Sequence, residues 1–204
     1  MMISQTLLSN QRRIGLTGGI ASGKSTIATY ISKTKNVFIL DADDYSKKFL
    51  CPGSDSYTKI IDHFGKQIIQ LNCLEKSLNR KKLKKIIFED AKERMWLDNL
   101  LHPLIKEQMR IDCIKLSNEK ILILVIPLLF EADFADLCSE IWLIKCRKET
   151  QKQRLIMRDK ISPSYAEKII NIQLDFSEKE KKSDFILNNE NQQEIWKNAI
   201  DNLL

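Results

Sequence analysis

A glycine-rich segment near the start of the chain has the residue types and spacing of a phosphate-binding loop. Residues 18–25 read Gly-Gly-Ile-Ala-Ser-Gly-Lys-Ser and fit the pattern G-x-x-x-x-G-K-[ST] between a predicted strand and a predicted helix. The glycines let successive backbone N–H groups turn toward phosphate oxygens, and the following helix adds the positive end of its dipole. The segment therefore predicts a nucleotide site.

Side chains in this loop have distinct predicted roles. Lys24 would reach the β- and γ-phosphates and serve in catalysis, and the Ser25 hydroxyl would coordinate Mg²⁺, which prefers hard oxygen ligands. Thr26 is the next residue and could contact the α-phosphate. The loop residues predicted to bind ATP are Gly18, Gly19, Ile20, Ala21, Ser22, Gly23, Lys24, Ser25 and Thr26.

Carboxylates follow the second apolar run of the chain. Residues 37–40 lead directly into Asp41, Asp43 and Asp44, at the carboxyl end of a predicted parallel strand, where open α/β sheets bind ligands. Phosphoryl transfer needs a carboxylate that accepts or orients the proton of the acceptor hydroxyl. We assign this catalytic role to Asp43 and a capping or positioning role to Asp41. The alternative is that either residue only caps a helix beginning near Asp44.

Two arginines in the last third of the chain share a helical face. Arg154 and Arg158 are four residues apart, so one helix would aim both in the same direction. The planar guanidinium binds phosphate oxygens and keeps its charge. We predict that both bind ATP and that Arg154 also serves in catalysis. The alternative is that they are solvated surface arginines.

A dense run of Lys and Arg occupies residues 76–85. Such a run is usually a solvated face or a nucleic-acid patch, and it would also suit an acceptor with several phosphates. Few aromatic residues interleave with it, which argues against binding of single-stranded nucleic acid. His63 and His102 are isolated histidines, more typical of hydrogen-bonded structural residues than of metal ligands.

Residues 62–65 read Asp-His-Phe-Gly and imitate the D-x-x-G motif of GTPases. No N-K-x-D string for guanine recognition occurs in the chain. We therefore interpret this segment as the end of a helix capped by Gly65.

The elements that must position these residues follow from the hydrophobic pattern. Continuous apolar runs, rather than alternating ones, are typical of parallel strands that helices cover on both faces. Together with the phosphate loop they predict an α/β fold with a five-stranded parallel sheet and a P-loop NTPase core. The predicted strands are 14–17, 37–40, 121–126, 141–144 and 185–187.

Two helical insertions interrupt this pattern. The first lies between the second and third strands and contains a long predicted helix, 94–116, with Pro103 inside it as a possible kink or break. Its apolar stripe comprises Leu97, Leu100, Leu101, Leu104, Ile105 and Met109. The second, about 148–175, is rich in Lys and Arg and has the length of a helical hairpin lid.

The composition is that of an ordinary globular protein. The net charge of +6 is spread over 33 basic and 27 acidic side chains, which suits an anionic partner. Five cysteines without C-x-x-C spacing predict reduced, mostly buried thiols. Residues 1–13 lack a signal-sequence pattern, and the longest apolar run, 121–130, is too short to span a membrane. We expect a cytoplasmic protein without a membrane segment.

The order of motifs resembles the dephospho-CoA kinase family from about residue 13 to 189. The phosphate loop is shared with many families, whereas other segments are more specific. The segments that carry the resemblance are 15–26, Leu40–Asp43, His63–Gly65, Leu78–Arg80, Leu100–Ile105 with its His-Pro-Leu-Ile sequence, Val125–Glu131, Gln153–Arg154, Arg158–Asp159, Gln173, Lys179, Ser183–Asp184 and Asn189.

The resemblance implies a kinase of three parts within one domain, 1–204. These are a P-loop core (12–45, 118–147 and 176–204), a helical CoA-binding insertion (46–117) and a lid (148–175). It implies transfer of the ATP γ-phosphoryl group to the ribose 3′-hydroxyl of dephospho-CoA, with Mg²⁺ and with Asp43 as catalytic base. The acceptor-binding residues implied are Asp41, Asp43, His63, Arg80 and His102.

We also expect a monomer or small homo-oligomer that binds no nucleic acid. Two turn positions depart from the family pattern. This chain has Asn72-Cys73 where the family usually has an Asp-Gly pair, and it lacks the glycine that the family usually has near Glu190. The alternatives are another small-molecule P-loop kinase and an ATP-dependent nucleic-acid-binding module, the latter favoured by the basic run at 76–85.

Overall fold

The computed structural model describes residues 11–70, 76–190 and 193–204. The departure at Asn72-Cys73 lies outside the described residues, as does most of the N-terminal segment in which no signal sequence is predicted. The described residues form two compact units, one made of the chain up to Asp41 and from Asp112 onward, the other of Ala42–Ile111. The predicted bounds of the core, the insertion and the lid remain predictions.

The first unit contains a parallel sheet of five strands, which confirms the predicted α/β fold. The order across the sheet is β2-β3-β1-β4-β5, so β1 lies at the centre. All five apolar runs form strands, each within one or two residues of its predicted limits. The strands are β1 (Arg12–Gly18), β2 (Phe38–Asp41), β3 (Ile121–Val125), β4 (Glu140–Lys145) and β5 (Phe185–Asn188).

Helices connect and flank these strands. Two single turns of 3-10 helix, Lys66–Ile68 and Ala135–Leu137, add to them. The α-helices of the described residues are α1 (Lys24–Lys35), α2 (Ala42–Phe49), α3 (Asp55–Phe64), α4 (Arg80–Glu89), α5 (Ala91–Lys115), α6 (Lys148–Asp159), α7 (Pro163–Ile172), α8 (Phe176–Glu180) and α9 (Gln193–Leu203).

One face of the sheet packs against α1 and α9. Alternate residues of the central strands point to this face, because successive side chains of a strand lie on opposite sides. The buried members of this core cluster are Ile14, Leu16, Ile27, Ala28, Ile31, Ile123, Val125, Trp142, Ile144, Leu187, Trp196 and Ile200. The intervening strand residues Leu122, Leu124 and Leu143 are also fully buried, so the central strands are covered on both faces.

The second unit contains most of α5, the long helix of the first insertion, whose last residues belong to the first unit. The helix begins at Ala91, three residues before the predicted start, and continues through Pro103 without a break. Leu97, Leu101, Ile105 and Met109 are buried as predicted, but Leu104 is 39% exposed and does not belong to the buried stripe. The interpretation of residues 62–65 is confirmed, since α3 ends at Phe64 and Gly65 caps it at φ 77° by donating its N–H to the Ile61 carbonyl.

The thiols of the described residues are free, with Cys113 and Cys146 buried and Cys51 exposed. Burial raises the pKa of Cys138 to about 12 and that of Cys146 to about 11, so both stay protonated near neutral pH. In the described part of the chain, no helix combines the length and apolar character that a membrane crossing requires.

Two isoleucines of α9 provide a test of this core. Ile200 is fully buried against the sheet, whereas Ile195 on the same helix is 57% exposed. We expect Ile200→Ala to lower the free energy of unfolding by about 2–5 kcal/mol, because it removes buried methyl groups and leaves a cavity. Ile195→Ala should change it by less than about 0.5 kcal/mol. Urea denaturation measures both; equal effects would contradict the packing of α9.

Candidate active site

The phosphate loop joins the central strand to the first helix. Strand β1 ends at Gly18, and α1 begins at Lys24. Gly23 precedes the helix at φ 97°, a left-handed conformation that favours glycine, and a Cβ atom there would overlap the Asn189 amide. The first N–H groups of α1 have no partner within the helix, and its first turn holds no acidic residue. The loop therefore ends in a positive helix terminus suited to an anion.

Lys24 lies against this loop. Its side chain is buried to 9% exposure, and its ammonium donates to the carbonyls of Gly18 at 2.7 Å and Gly19 at 2.9 Å. Ser25 follows in the first turn of α1 with an exposed side chain. The buried Ser22 hydroxyl has no hydrogen-bond partner among the described residues. The loop thus brings together a cation and hydroxyl groups at a helix N-terminus.

The second insertion is a helical hairpin, as predicted, made of α6 and α7. The Ser162 hydroxyl caps α7 by accepting the N–H of Tyr165. Both ends of the hairpin reach the phosphate loop: Gln151 donates to the Ile20 carbonyl at 2.9 Å, and Gln173 accepts the Ile20 N–H at 2.6 Å. Sequence reasoning assigned no role to Gln151. The sequence signal that could have indicated a role is its position one helical turn before Arg154, which places both side chains on the same face of α6.

Arg154 lies beside the phosphate loop. Its guanidinium donates to the carbonyls of Asn189 and Glu190, both at 3.0 Å, and to that of Ser22 at 3.5 Å. Arg158, one turn further along α6, is 54% exposed and binds the Asp159 carboxylate at 2.7 and 3.0 Å. Of the two predicted arginines, the structure therefore brings Arg154 to the loop, whereas Arg158 lies on the exposed part of the hairpin.

The segment after β5 braces the same loop. Asn189, 7% exposed, donates from its side chain to the Ser22 carbonyl at 2.8 Å. The Glu190 carboxylate accepts the Arg147 N–H and the Thr150 hydroxyl. Arg147 precedes the first residue of α6 and makes no side-chain cap of its own. The hydrogen bond from the Arg147 N–H lowers the pKa of Glu190, whose carboxylate caps α6. The resemblance leads us to expect a glycine near this position.

Asp41 lies at the same edge of the sheet as the phosphate loop. It is opposite Val125 of β3, which in turn is opposite Leu16 of β1, so Asp41 lies about 10 Å from β1 across two strand spacings. Asp41 immediately precedes α2, at the position of a helix N-cap. Asp43, exposed, is in the first turn of α2, so it does not occupy that position.

His63 lies in a cleft of the second unit. Its imidazole stacks on Trp96 with ring centroids 3.8 Å apart, and its Nε2 is 2.5 Å from a Glu93 carboxylate oxygen. The cleft has a volume of about 570 Å³. Its lining residues are Lys59, Asp62, His63, Trp96, Asn99 and Leu100. An aromatic stack with adjacent cationic and polar groups suits a ligand that has a flat ring and anionic groups.

The other predicted acceptor-binding residues lie outside this cleft. His102 is one turn from Asp98 on α5, with Nε2 3.5 Å from its carboxylate. Burial raises the pKa of Asp98, against the lowering effect of His102 and Arg94. Arg80 is the exposed first residue of α4 and belongs to the basic run at 76–85. These residues remain predictions as acceptor contacts.

Comparison with known proteins identifies the family. The family model for dephospho-CoA kinase matches residues 12–194. Dephospho-CoA kinase from Prochlorococcus marinus (strain MIT 9312) is 56% identical over 205 residues, covering 100% of both chains.

Solved structures agree on the fold. Dephospho-CoA kinase from Campylobacter jejuni has a TM-score of 0.64 at 27% identity and covers 94% of each chain. The Thermus thermophilus protein TT1252 has a TM-score of 0.76 at 22% identity, covering 95% of this chain and 96% of that chain. With a family model spanning 12–194 and a relative 56% identical along its whole length, the chain belongs to the dephospho-CoA kinase family.

Proposed function

We propose that this kinase transfers the γ-phosphoryl group of ATP to the ribose 3′-hydroxyl of dephospho-CoA, giving CoA and ADP. The observation that carries the proposal is the phosphate loop: Lys24 and the N-terminus of α1 form a cationic site, and α6 brings Arg154 to the same loop. Family membership supports the choice of acceptor.

The triphosphate would lie along the loop. The backbone N–H groups and Lys24 bind the phosphates, with the Lys24 ammonium exchanging loop carbonyls for phosphate oxygens. Ser25 fits a Mg²⁺ ligand because its hydroxyl is exposed in the first turn of α1, and Mg²⁺ usually takes few protein ligands beside phosphates and water. When bound, Mg²⁺ neutralises charge on the phosphates.

Asp43 would accept or orient the proton of the 3′-hydroxyl during in-line transfer. Asp41 ends β2 at the carboxyl edge of the sheet, and Asp43 follows two residues later. Arg154 would neutralise charge that develops on the transferring group. Arg158 would join the nucleotide site from the exposed part of the hairpin. Closure of the hairpin would exclude water, which otherwise accepts the phosphoryl group.

We propose the cleft at His63 as part of the acceptor site. Its stacked rings would contact a flat or apolar part of dephospho-CoA, and Lys59 would contact an anionic group. Arg80 and His102 are further proposed contacts for the acceptor. The basic run at 76–85 would suit the phosphates of a small acceptor as well as nucleic acid, and family membership supports the small acceptor.

The acceptor is tested with purified protein, ATP and Mg²⁺, with ADP and CoA both measured. We expect one CoA for each ADP when dephospho-CoA is present, and no product with shikimate or nucleoside monophosphates. ADP without CoA would contradict the proposal. Phosphorylation of another acceptor in its place would contradict the acceptor assignment.

Substitution of Asp43 tests the catalytic base. We expect Asp43→Asn to lower kcat by about 100-fold or more, because the amide cannot accept the hydroxyl proton. The Kd for ATP should stay within about twofold, since the phosphates bind elsewhere. Asp44→Asn is the matched control, because Asp44 is the next residue and its carboxylate pairs with Lys47 on the surface. Near-normal turnover of Asp43→Asn would remove Asp43 from the role.

Substitution of Ser25 tests the metal site. We expect chelation with EDTA to abolish transfer and added Mg²⁺ to restore it. Ser25→Ala should raise the Mg²⁺ concentration needed for half-maximal rate, by about three- to tenfold, because one oxygen ligand is lost. Ser25→Thr keeps the hydroxyl and should behave like the wild type. Equal Mg²⁺ requirements for the Ala and Thr variants would argue against Ser25 as a ligand.

Substitution of His63 tests the acceptor cleft. We expect His63→Ala to raise KM for dephospho-CoA by about three- to thirtyfold, because a stacked ring contact is lost, with KM for ATP unchanged. Met95→Ala is the control, since Met95 is 59% exposed on α5 and does not line the cleft. A higher KM for ATP with an unchanged KM for dephospho-CoA would contradict this placement.

A further inference from the structure

The peptide groups at Ile20, in the middle of the phosphate loop, are held by side chains rather than by other backbone groups. The Ile20 N–H donates to Gln173 Oε1 at 2.6 Å, and Gln151 Nε2 donates to the Ile20 carbonyl at 2.9 Å. Gln151 lies on α6, and Gln173 immediately follows α7. The two ends of the hairpin therefore hold the loop on both sides of one residue.

The direction of each hydrogen bond follows from the backbone. A backbone N–H only donates and a backbone carbonyl only accepts, so Gln173 must present its oxygen and Gln151 its NH₂ group. The two glutamines have opposite roles in otherwise similar contacts. Chemically identical substitutions at 151 and 173 should therefore have different effects.

Close packing fixes Gln151 in this contact. Gln151 is 1% exposed, and a Cβ atom added at Gly19 would overlap its amide nitrogen. Phe176 closes the same side, 3.1 Å from that Cβ position. A buried amide that lost its partner would carry an unsatisfied polar group, so the bond to Ile20 is the stable arrangement.

Gln173 is anchored through its neighbour. The Leu174 N–H donates to Glu131 Oε1 at 3.1 Å, and the same oxygen pairs with the buried Lys179 ammonium at 2.7 Å. Lys179 is 1% exposed, whereas the Glu131 side chain is 22% exposed, so solvent is excluded from the lysine side of this ion pair. The pair holds the end of the hairpin in place. The chain of contacts runs from Lys179 through Glu131 and Leu174 to Gln173 and Ile20.

We propose that Gln151 and Gln173 are positioning residues for ATP binding: together they orient the Ile20 peptide groups so that the loop presents its N–H groups to the phosphates. The proposal rests on the proposed function of the loop as the ATP site. The glutamines act through the loop backbone, which they contact, and not on the reacting atoms. The binding of ATP is thereby coupled to the base of the α6–α7 hairpin.

A charge-matched set of variants tests the two hydrogen bonds to Ile20. Gln173→Glu keeps an oxygen that accepts the Ile20 N–H, whereas Gln151→Glu removes the donor and places a carboxylate against the Ile20 carbonyl. Gln153→Glu adds the same charge at an exposed position of α6 and serves as the control. The measurement is the Kd for Mg²⁺-ATP by calorimetry, without acceptor, at a temperature well below the unfolding transition of every variant.

We expect Gln151→Glu to weaken ATP binding about fivefold or more relative to Gln173→Glu, from the loss of a buried hydrogen bond and the unpaired groups it leaves. Gln153→Glu should bind like the wild type. Equal weakening by Gln151→Glu and Gln173→Glu would show an effect of charge alone and overturn the proposal. Unchanged ATP binding in both would overturn it as well.

A second pair of variants adds a readout that a purely structural role would not move. Gln151→Met and Gln173→Met remove the bonds without adding charge, and we expect each to raise the Kd for ATP by about three- to tenfold while KM for dephospho-CoA stays constant. A lower melting temperature with unchanged ATP affinity would overturn the proposal. Wild-type protein that binds ATP but forms no CoA would contradict the proposed function and leave this test intact.

Discussion

The turn from β1 into α1 must present backbone N–H groups to an anion, so the N–H groups that bind the anion cannot also bond to the rest of the chain. Five residues, 19–23, make this connection, and the surrounding structure supports them from outside. Asn189 and Arg154 bind the Ser22 carbonyl, and two glutamines bind Ile20. The supports contact the loop largely through its carbonyls, which a phosphate does not need.

Strand positions could be predicted because burial on both faces leaves a plain sequence signal. Residues 121–126 and 141–144 are continuous apolar runs, and the structure covers β3 and β4 on both sides. The phosphate loop could also be predicted, because its glycine and lysine spacing between a strand and a helix is a specific sequence pattern. The order of the strands is a tertiary property that no local pattern contains.

Other features could not be predicted because their partners are far apart in the chain. A glutamine in a helix is usually exposed, yet Gln151 is buried against a loop that lies about 130 positions earlier in the chain. Glu190 departs from the family pattern, and only the fold shows that its carboxylate caps α6. Leu104 fits the helical stripe by spacing but faces solvent, because a predicted stripe is wider than the surface that α5 buries.

The overlap between a side chain at position 19 and the Gln151 amide makes these two positions epistatic. Alanine at 19 would displace the Gln151 amide from its hydrogen bond with the Ile20 carbonyl, and a smaller residue at 151 would release that carbonyl as well. Either order of substitution passes through a chain with a strained or unsupported loop. A library that randomises the loop alone would therefore favour glycine at 19, whereas a library that varies both positions together would admit more loop sequences.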